Sequence, residues 1–237
     1  MESATDHHHM RALLEWQIEL GATDCIADAP VDRYALQAAA PKKRPAHAAT
    51  EDAPLESIDP VQIARAAAAA ATDLEGLRGT LSQFEHCDLK KGARSLVFAD
   101  GVPQSRVMVI GEAPGRDEDR EGRPFVGRAG QLLDRMFDAI GLRRETSLYI
   151  TNILPWRPPQ NRDPSPEEIA MMMPFVERHV ALAAPEVIVL MGNISCQAVL
   201  GRRGITRMRG TWMEALKRPA LPMFHPAYLL RNPSAKR

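Results

Sequence analysis

Val107-Met-Val-Ile-Gly-Glu-Ala-Pro-Gly115 is the stretch of this sequence that decides the fold. Its apolar, β-branched first half is typical of a buried strand, and the Gly and Pro residues after it end that strand in a tight loop. Ligands of open α/β sheets bind beyond the carboxyl ends of the strands. We therefore expect a functional site in this loop, which begins with the carboxylate Glu112 and is followed by the aromatic Phe125.

The C-terminal half continues as an alternation of strand and helix patterns. We predict strands at 106–110, 148–153, 186–191 and 220–224, and helices at 128–141, 166–183 and 194–201, with a last helical turn from Pro226. Such alternation implies right-handed crossovers and a parallel sheet covered by helices on both faces. Asn152 and His225 also fall at strand ends, so we expect them to converge with Glu112 at one edge of the sheet.

The N-terminal quarter has a different character. Residues 10–21 carry apolar side chains at helical spacing and end in Gly, which predicts a short amphipathic helix. Ala, Pro and charged residues without periodicity predict a flexible linker from about residue 36 to residue 58. From Asp59 we predict a helix to about Leu81, with Asp59 as N-cap and Pro60 in its first turn. The chain thus divides into residues 1–58, helix and linker, and a folded domain at 59–237.

Charge and cysteine content narrow the class of protein. Residues 101–237 hold 20 Lys and Arg against 14 Asp and Glu, whereas residues 1–100 hold 10 against 16. A basic half that carries the motifs indicates a nucleic-acid partner. Three scattered cysteines argue against a disulfide framework and for a reducing cytoplasm. No signal peptide is evident at the start, and no apolar run reaches the roughly 18 residues of a membrane span, so we expect no membrane partner.

Five segments together carry a resemblance to a known family. They are Gly-Glu-Ala-Pro-Gly (111–115), Gly-Arg-Pro-Phe-Val-Gly-Arg-Ala-Gly-Gln-Leu-Leu-Asp (122–134), Tyr-Ile-Thr-Asn-Ile (149–153), Arg-Pro-Pro-Gln-Asn-Arg-Asp-Pro (157–164) and His-Pro-Ala-Tyr-Leu-Leu-Arg (225–231). In this order and spacing the chain resembles the family 4 uracil-DNA glycosylases, within the uracil-DNA glycosylase superfamily. Each segment alone is unspecific, and the combination carries the resemblance.

The resemblance implies a fold, a reaction and a partner. The fold is a three-layer α/β/α sandwich with a central four-stranded parallel sheet. The reaction is hydrolysis of the N-glycosidic bond of deoxyuridine in damaged DNA, after base flipping, in base excision repair. The partner is uracil-containing DNA, single- or double-stranded, and we expect a monomer in the cytoplasm.

Two other functions stay open. One is a catalytically altered or inactive relative that binds DNA in repair. The other is a nucleotide- or phosphate-binding protein that uses the Gly-rich loop, although neither of the usual phosphate-loop motifs follows the strand.

The family also implies roles for individual residues. Glu112 and His225 are the catalytic residues: the carboxylate positions or activates water, and the imidazole lies near uracil O2. Phe125 stacks on the flipped base, and Asn152 reads its edge, because a carboxamide can accept from N3–H and donate to O4. Three further residues complete the uracil site: Gly111 and Ala113 through their backbone N–H groups, and Glu118 by blocking the 5-methyl group of thymine. The structural alternatives are a loop-holding role for Glu112, a core role for Phe125 and a turn role for Asn152.

DNA contacts are implied outside the uracil site. Arginines in or beside the motif loops would contact phosphates, and the residues after His225 would wedge into the duplex where the base has left. The predicted DNA-binding residues are Arg128, Arg162, Leu229, Leu230 and Arg231.

The sequence departs from the family at one feature. Family 4 enzymes usually hold a four-iron, four-sulfur cluster on four cysteines, and the corresponding positions here are Phe84, Cys87, Trp156 and Met172. Only Cys87 can supply the thiolate that such a cluster needs. We therefore predict no cluster and no other metal, with large apolar side chains filling the volume instead.

Overall fold

A computed structural model of the protein describes residues 10–14, 16–17 and 59–236. Residues 10–14 and 16–17 are helical, as expected from their apolar spacing, while residues 18–58, including the predicted linker, lie outside the described residues. The predicted division at residue 58 therefore stays a prediction. No helix in the described ranges is long and apolar enough to cross a membrane.

Six strands of the described chain form one sheet. They are β1 (Asp100–Gly101), β2 (Val107–Gly111), β3 (Leu148–Asn152), β4 (Val187–Met191), β5 (Met213–Ala215) and β6 (Arg218–Met223). Their order is β1-β3-β2-β4-β6-β5. The four central strands run parallel, as the sequence predicts, and β1 and β5 are antiparallel edge strands.

The two edge strands extend the predicted four-stranded sheet. They have two and three residues, too short for a periodic pattern to indicate them. The hairpin between β5 and β6 turns through Leu216 and Lys217, which adopt positive φ angles of 51° and 61°. Glycine or asparagine usually occupies such positions, so the sequence carries no hairpin signal here.

Helices cover both faces of the sheet. They are α1 (Pro60–Ala70), α2 (Leu74–Gln83), α3 (Leu89–Gly92), α4 (Arg116–Glu121), α5 (Arg128–Asp138), α6 (Pro166–Ala183), α7 (Gly192–Leu200), α8 (Ile205–Met208) and α9 (Pro226–Arg231). Along β2 the side chains alternate, as they do in any strand. Met108 and Ile110 join the core that includes α1, α2 and α6, whereas Val109 packs with Leu133 of α5 on the other face. The result is the three-layer α/β/α sandwich that the resemblance implies.

The predicted helix from Asp59 to Leu81 is wrong in one respect, because it is two helices. Asp59 caps α1 as predicted, its Oδ1 accepting from Val61 N–H at 2.9 Å. The chain then breaks after Ala70, and Asp73 caps α2 by accepting from Gly76 N–H at 2.7 Å. At the break, Arg178 of α6 donates from Nη2 and Nε to the Ala71 carbonyl at 2.6 and 2.9 Å. This long-range contact occupies the carbonyl that the break leaves free.

Candidate active site

A cleft of about 590 Å³ lies beyond the carboxyl ends of the parallel strands. The predicted residues that line it are Glu112, Ala113, Glu118, Phe125, Asn152, Arg162, His225 and Arg231. Glu112 follows β2, Asn152 ends β3 and His225 follows β6, so the parallel topology gathers residues that are far apart in sequence. Sequence reasoning missed other lining residues, among them Asp163, Arg203, Phe224 and Tyr228, which lie outside any motif role assigned above.

The Asn152 amide is the polar group that the fold leaves without a partner. The residue is only 6 % exposed, and neither Oδ1 nor Nδ2 has a hydrogen-bond partner among the described residues. Buried polar groups are nearly always paired, and an unpaired one costs about 1–3 kcal/mol. A buried amide with its donor and acceptor unused can pair with the edge of a planar ligand.

Gly111 makes room for two of the site's side chains. A Cβ atom at this position would lie 2.3 Å from Asn152 Oδ1 and 2.5 Å from Phe125 Cε2. Both distances are far below van der Waals contact, so any larger residue would displace the amide or the ring. The Phe125 ring in turn lies 5.5 Å from the His225 ring, centroid to centroid, tilted by 31°. The aromatic face, the amide and the imidazole are therefore neighbours.

His225 is held as a neutral hydrogen-bond donor. Burial, and then the positive charge of Arg231, lower the pKa of this imidazole to about 4. Its Nδ1 accepts from the Ala227 N–H at 3.2 Å, at the start of α9. In the neutral ring the proton must then be on Nε2, which is left to donate.

Glu112 is a carboxyl of the cleft with a raised pKa. Burial raises the pKa of this carboxyl to about 7, the negative charge of Asp163 adds to the rise, and Arg203 and Arg231 oppose it. A base whose pKa lies near the working pH is well matched to proton transfer. None of these three charged neighbours is near Glu112 in sequence, so no sequence pattern could have indicated the shift.

Glu118 connects two loops of the cleft. Its Oε2 accepts from Gly115 N–H at 3.1 Å, and its Oε1 accepts from Val126 and Gly127 N–H at 3.0 and 2.9 Å. The acidic residue after it, Asp119, is turned away from the cleft and accepts from the backbone of residues 94 and 95. Glu118 is thus the residue of this acidic cluster that lines the cleft. Its role against a thymine methyl stays a prediction.

The predicted DNA-binding residues other than Leu229 lie in three kinds of place. Arg162 and Arg231 line the cleft, although Arg162 also forms an ion pair with Glu168. Arg128 is exposed at the start of α5. Leu230 is half-buried against the core.

For Leu229 the structure corrects the expectation. This side chain is 6 % exposed and packs in the hydrophobic core, so it supports α9 from below. Its neighbour Tyr228 is exposed and lines the cleft.

The four positions of the family's iron–sulfur cluster do not fit such a group. Phe84, Cys87, Trp156 and Met172 are all buried in one hydrophobic core, where Phe84 packs edge-on against Phe175 at 5.2 Å between ring centroids. Burial raises the pKa of the Cys87 thiol, which disfavours the thiolate that binds iron. Among the described residues there is no group of three or more His, Cys, Asp or Glu placed to hold a metal.

The geometry of the cleft suits one kind of chemistry. An aromatic face and an orphan amide can hold and read a planar heterocycle. A neutral imidazole can donate to charge that develops on that heterocycle, and a carboxyl that titrates near neutrality can accept a proton from water.

Comparison with known proteins identifies the family of the chain. Residues 98–237, more than half of the chain, match the family model described as the uracil DNA glycosylase superfamily. A type-4 uracil-DNA glycosylase of Archaeoglobus fulgidus is 40 % identical over 63 % of this chain and 79 % of its own length. One of Thermotoga maritima is 40 % identical over 62 % and 78 %. One of Sulfurisphaera tokodaii is 36 % identical over 69 % and 79 %. With its three-layer fold and its convergent cleft, the chain belongs to the uracil DNA glycosylase superfamily.

Proposed function

We propose that this protein is a uracil-DNA glycosylase, which hydrolyses the N-glycosidic bond of deoxyuridine in DNA and thereby begins base excision repair. The observation that carries the proposal is the buried Asn152 amide without a partner, beside the Phe125 ring. The type-4 names of the relatives support the same reaction. The products are free uracil and an abasic site.

Recognition of the base follows from the amide. The uracil must first leave the base stack, because its reacting atoms are inaccessible inside a duplex. Phe125 stacks on the flipped base, while Asn152 Oδ1 accepts from N3–H and Nδ2 donates to O4. Cytosine has an acceptor at N3 and a donor at N4, so both contacts would become repulsive. The backbone N–H groups of Gly111 and Ala113 complete the contacts to the base.

Two residues contribute to bond cleavage, one at the leaving uracil and one at the attacking water. When the C1′–N1 bond breaks, its electron pair stays on the departing uracil, and the negative charge spreads onto O2. The Nε2–H of neutral His225 donates to O2, and this hydrogen bond strengthens as the charge develops. Glu112 in its ionised form accepts a proton from the water whose oxygen bonds to C1′. The uracil anion then leaves and takes up a proton from solvent.

The remaining residues exclude thymine or bind the DNA strand. Glu118, held by the loop backbone, excludes the 5-methyl group of thymine. Arg128, Arg162 and Arg231 contact phosphates, and Leu230 belongs to the loop that wedges into the duplex where the base has left. We further propose that the protein acts as a monomer, on single- or double-stranded DNA. The free thiols of Cys87 and Cys196 support a reducing cytoplasm as its compartment.

Uracil release from oligonucleotides tests the proposed function. The purified protein is expected to release uracil from single strands and from duplexes, and to leave the matched thymine oligonucleotide intact. A Glu112→Gln preparation made in the same glycosylase-deficient host controls for contaminating enzyme. Binding of uracil-containing DNA without release would instead support the inactive relative.

Base choice is expected to change in Asn152→Asp. An ionised carboxylate accepts at both oxygens, so it cannot donate to uracil O4 but can accept from the cytosine amino group. Single-turnover rates on matched uracil and cytosine strands measure this, and we expect uracil release to fall while weak cytosine release emerges. Asn232→Asp, at an exposed position outside the cleft, is the control. An unchanged uracil rate in Asn152→Asp would remove Asn152 from the reading role.

We also propose that the protein works without an iron–sulfur cluster. Phenylalanine, tryptophan and methionine at three of the four positions cannot replace thiolates, and each large apolar side chain stabilises the fold by about 1.5–3 kcal/mol on burial. Protein purified without oxygen is expected to be colourless, active and free of stoichiometric iron, with a ferredoxin as positive control for iron and visible absorption. About four irons per active chain would contradict this.

A further inference from the structure

Phe125 has a backbone conformation that needs support. Its φ angle is +54°, in the left-handed region that bulky side chains rarely adopt. Such a conformation persists only where the surrounding structure over-determines it. Part of that support is Gly130 at the start of α5, where a Cβ atom would lie 1.7 Å from the Phe125 carbonyl oxygen.

Arg144 donates a hydrogen bond to the same carbonyl group from another side. Its Nη2 donates to the Phe125 carbonyl at 2.7 Å, and its Nη1 donates to the preceding carbonyl, of Pro124, at 3.2 Å. The residue lies in the loop between α5 and β3, and its side chain is 10 % exposed. A guanidinium presents its donors as a rigid planar fork, so two carbonyls held by one fork are fixed relative to each other.

Two carboxylates fix the guanidinium itself. Asp100 on β1 accepts from Arg144 Nη1 at 2.7 Å, and Asp134 on α5 accepts from Nη2 at 2.8 Å and from Nε at 2.9 Å. Burial by itself would lower the pKa of Arg144, but these hydrogen bonds outweigh it and raise the pKa, so the fork stays charged. Arg144 is thus anchored to a strand and to a helix.

The peptide group that contains the Phe125 carbonyl is also held through its N–H. The Val126 N–H, in the same peptide unit as the Phe125 carbonyl, donates to Glu118 at 3.0 Å. This unit therefore has its oxygen on a guanidinium and its hydrogen on a carboxylate. Both contacts act on backbone, and neither Arg144 nor its two carboxylates line the cleft.

From this geometry we infer that Arg144 is a positioning residue, which sets the place of the Phe125 ring by clamping the carbonyl groups of Pro124 and Phe125. The inference rests on the proposed function, because the ring so placed is the one that stacks on the flipped base. The substrate never touches Arg144. Loss of the clamp lets the ring leave the position in which it lies against Gly111 and Asn152.

A double-mutant cycle separates positioning from a merely structural role. In Arg144→Met the single-turnover rate on saturating uracil DNA is expected to fall about 10–100-fold, the range that a misplaced group can cost. In a Phe125→Ala background the same change is expected to cost less than about threefold, because the ring it places is absent. Equal factors in both backgrounds, or an unchanged rate in folded Arg144→Met, would overturn the inference.

Two further variants keep the test independent of folding. Arg143→Met is the matched control, since Arg143 is the exposed neighbour that pairs with Asp138, and its rate is expected to equal that of the wild type. If Arg144→Met does not fold, Asp134→Asn replaces it, because it removes one anchor and leaves Asp100 in place. The effect of Asp134→Asn on the rate is again expected to vanish in the Phe125→Ala background. If the effect persists in that background, the positioning role of Arg144 is contradicted.

A spectroscopic readout needs no glycosylase activity. With 4-fluorophenylalanine at position 125, the fluorine resonance is expected to shift or broaden in Arg144→Met and to stay in place in Arg143→Met. The same label at Phe137, a core residue of α5, is expected to stay in place in both variants. An unshifted label at 125 overturns the inference even where the wild type releases uracil. If the label at 125 shifts in Arg144→Met but the wild type releases no uracil, the positioning role of Arg144 stands and the proposed function is wrong.

Discussion

His225→Ala is expected to lower the single-turnover rate of uracil release by about 10²–10³-fold, while DNA affinity changes little. The imidazole donates to charge that exists only as the C1′–N1 bond breaks, so its loss affects the transition state more than the bound substrate. Rates at saturating DNA, together with equilibrium binding to an uncleavable uracil analogue, measure the two effects separately.

The control and the pH dependence make this prediction specific. His86→Ala removes an exposed imidazole outside the cleft and is expected to leave the rate unchanged. Because burial lowers the pKa of His225 to about 4, this ring stays neutral above about pH 5, and its loss should lower the rate by the same factor from pH 6 to pH 9. A variant that only weakens DNA binding, with an intact rate at saturation, would contradict the assignment of His225.

Glu112→Gln is expected to lower the rate by about 10²–10⁴-fold at neutral pH, the contribution of a positioned general base. The same residue should produce the pH dependence of the wild type. Since the active form is the carboxylate and its pKa is about 7, the rate rises with pH through about 7 and then levels off. In Glu112→Gln this ascending limb should disappear, and a limb that persists would assign it to another group. Glu186→Gln, at an exposed position, is the control for loss of a surface carboxylate.

The raised pKa of Glu112 also predicts a gain in stability for the same variant. The folded state holds this proton up to about pH 7, whereas the unfolded chain releases it near 4.5, so ionisation destabilises the fold as pH rises through this window. Glutamine cannot ionise and avoids this effect. We expect the free energy of unfolding of Glu112→Gln to exceed that of the wild type by about 1–2 kcal/mol at pH 8, after allowance for solvent screening, and to equal it at pH 4. Denaturant unfolding at the two pH values measures the difference, and a loss of stability at pH 8 would show a structural role instead.

Local patterns were enough for the central architecture. The four parallel strands, the cap at Asp59 and the order of the crossover helices depend on neighbours within one strand or one helical turn, so they are visible in the sequence. Parallel topology then requires that strand ends meet at one edge. The proximity of Glu112, Asn152 and His225 could therefore be expected from the sequence. The family motifs then identified these three residues as members of the site.

Long-range packing decided the rest. The break after Ala70 involves Arg178, the burial of Leu229 follows from how α9 lies on the core, and the two edge strands are too short to have a pattern. The Arg178 contact and the packing of Leu229 join residues far apart in sequence, and the hairpin of β5 and β6 turns through residues that carry no turn signal.

The chemistry of the site also depends on contacts between residues that are distant in sequence. Sequence by itself determined which side chains stand at the strand ends, since those positions follow from periodicity and turn residues. Only the tertiary structure decided that the Asn152 amide lacks a partner, that Glu112 titrates near neutrality beside Asp163, and that Arg144 holds the backbone of Phe125. The physical reason is that desolvation and hydrogen bonding depend on which groups the fold brings within a few ångströms, and those groups come from distant parts of the chain.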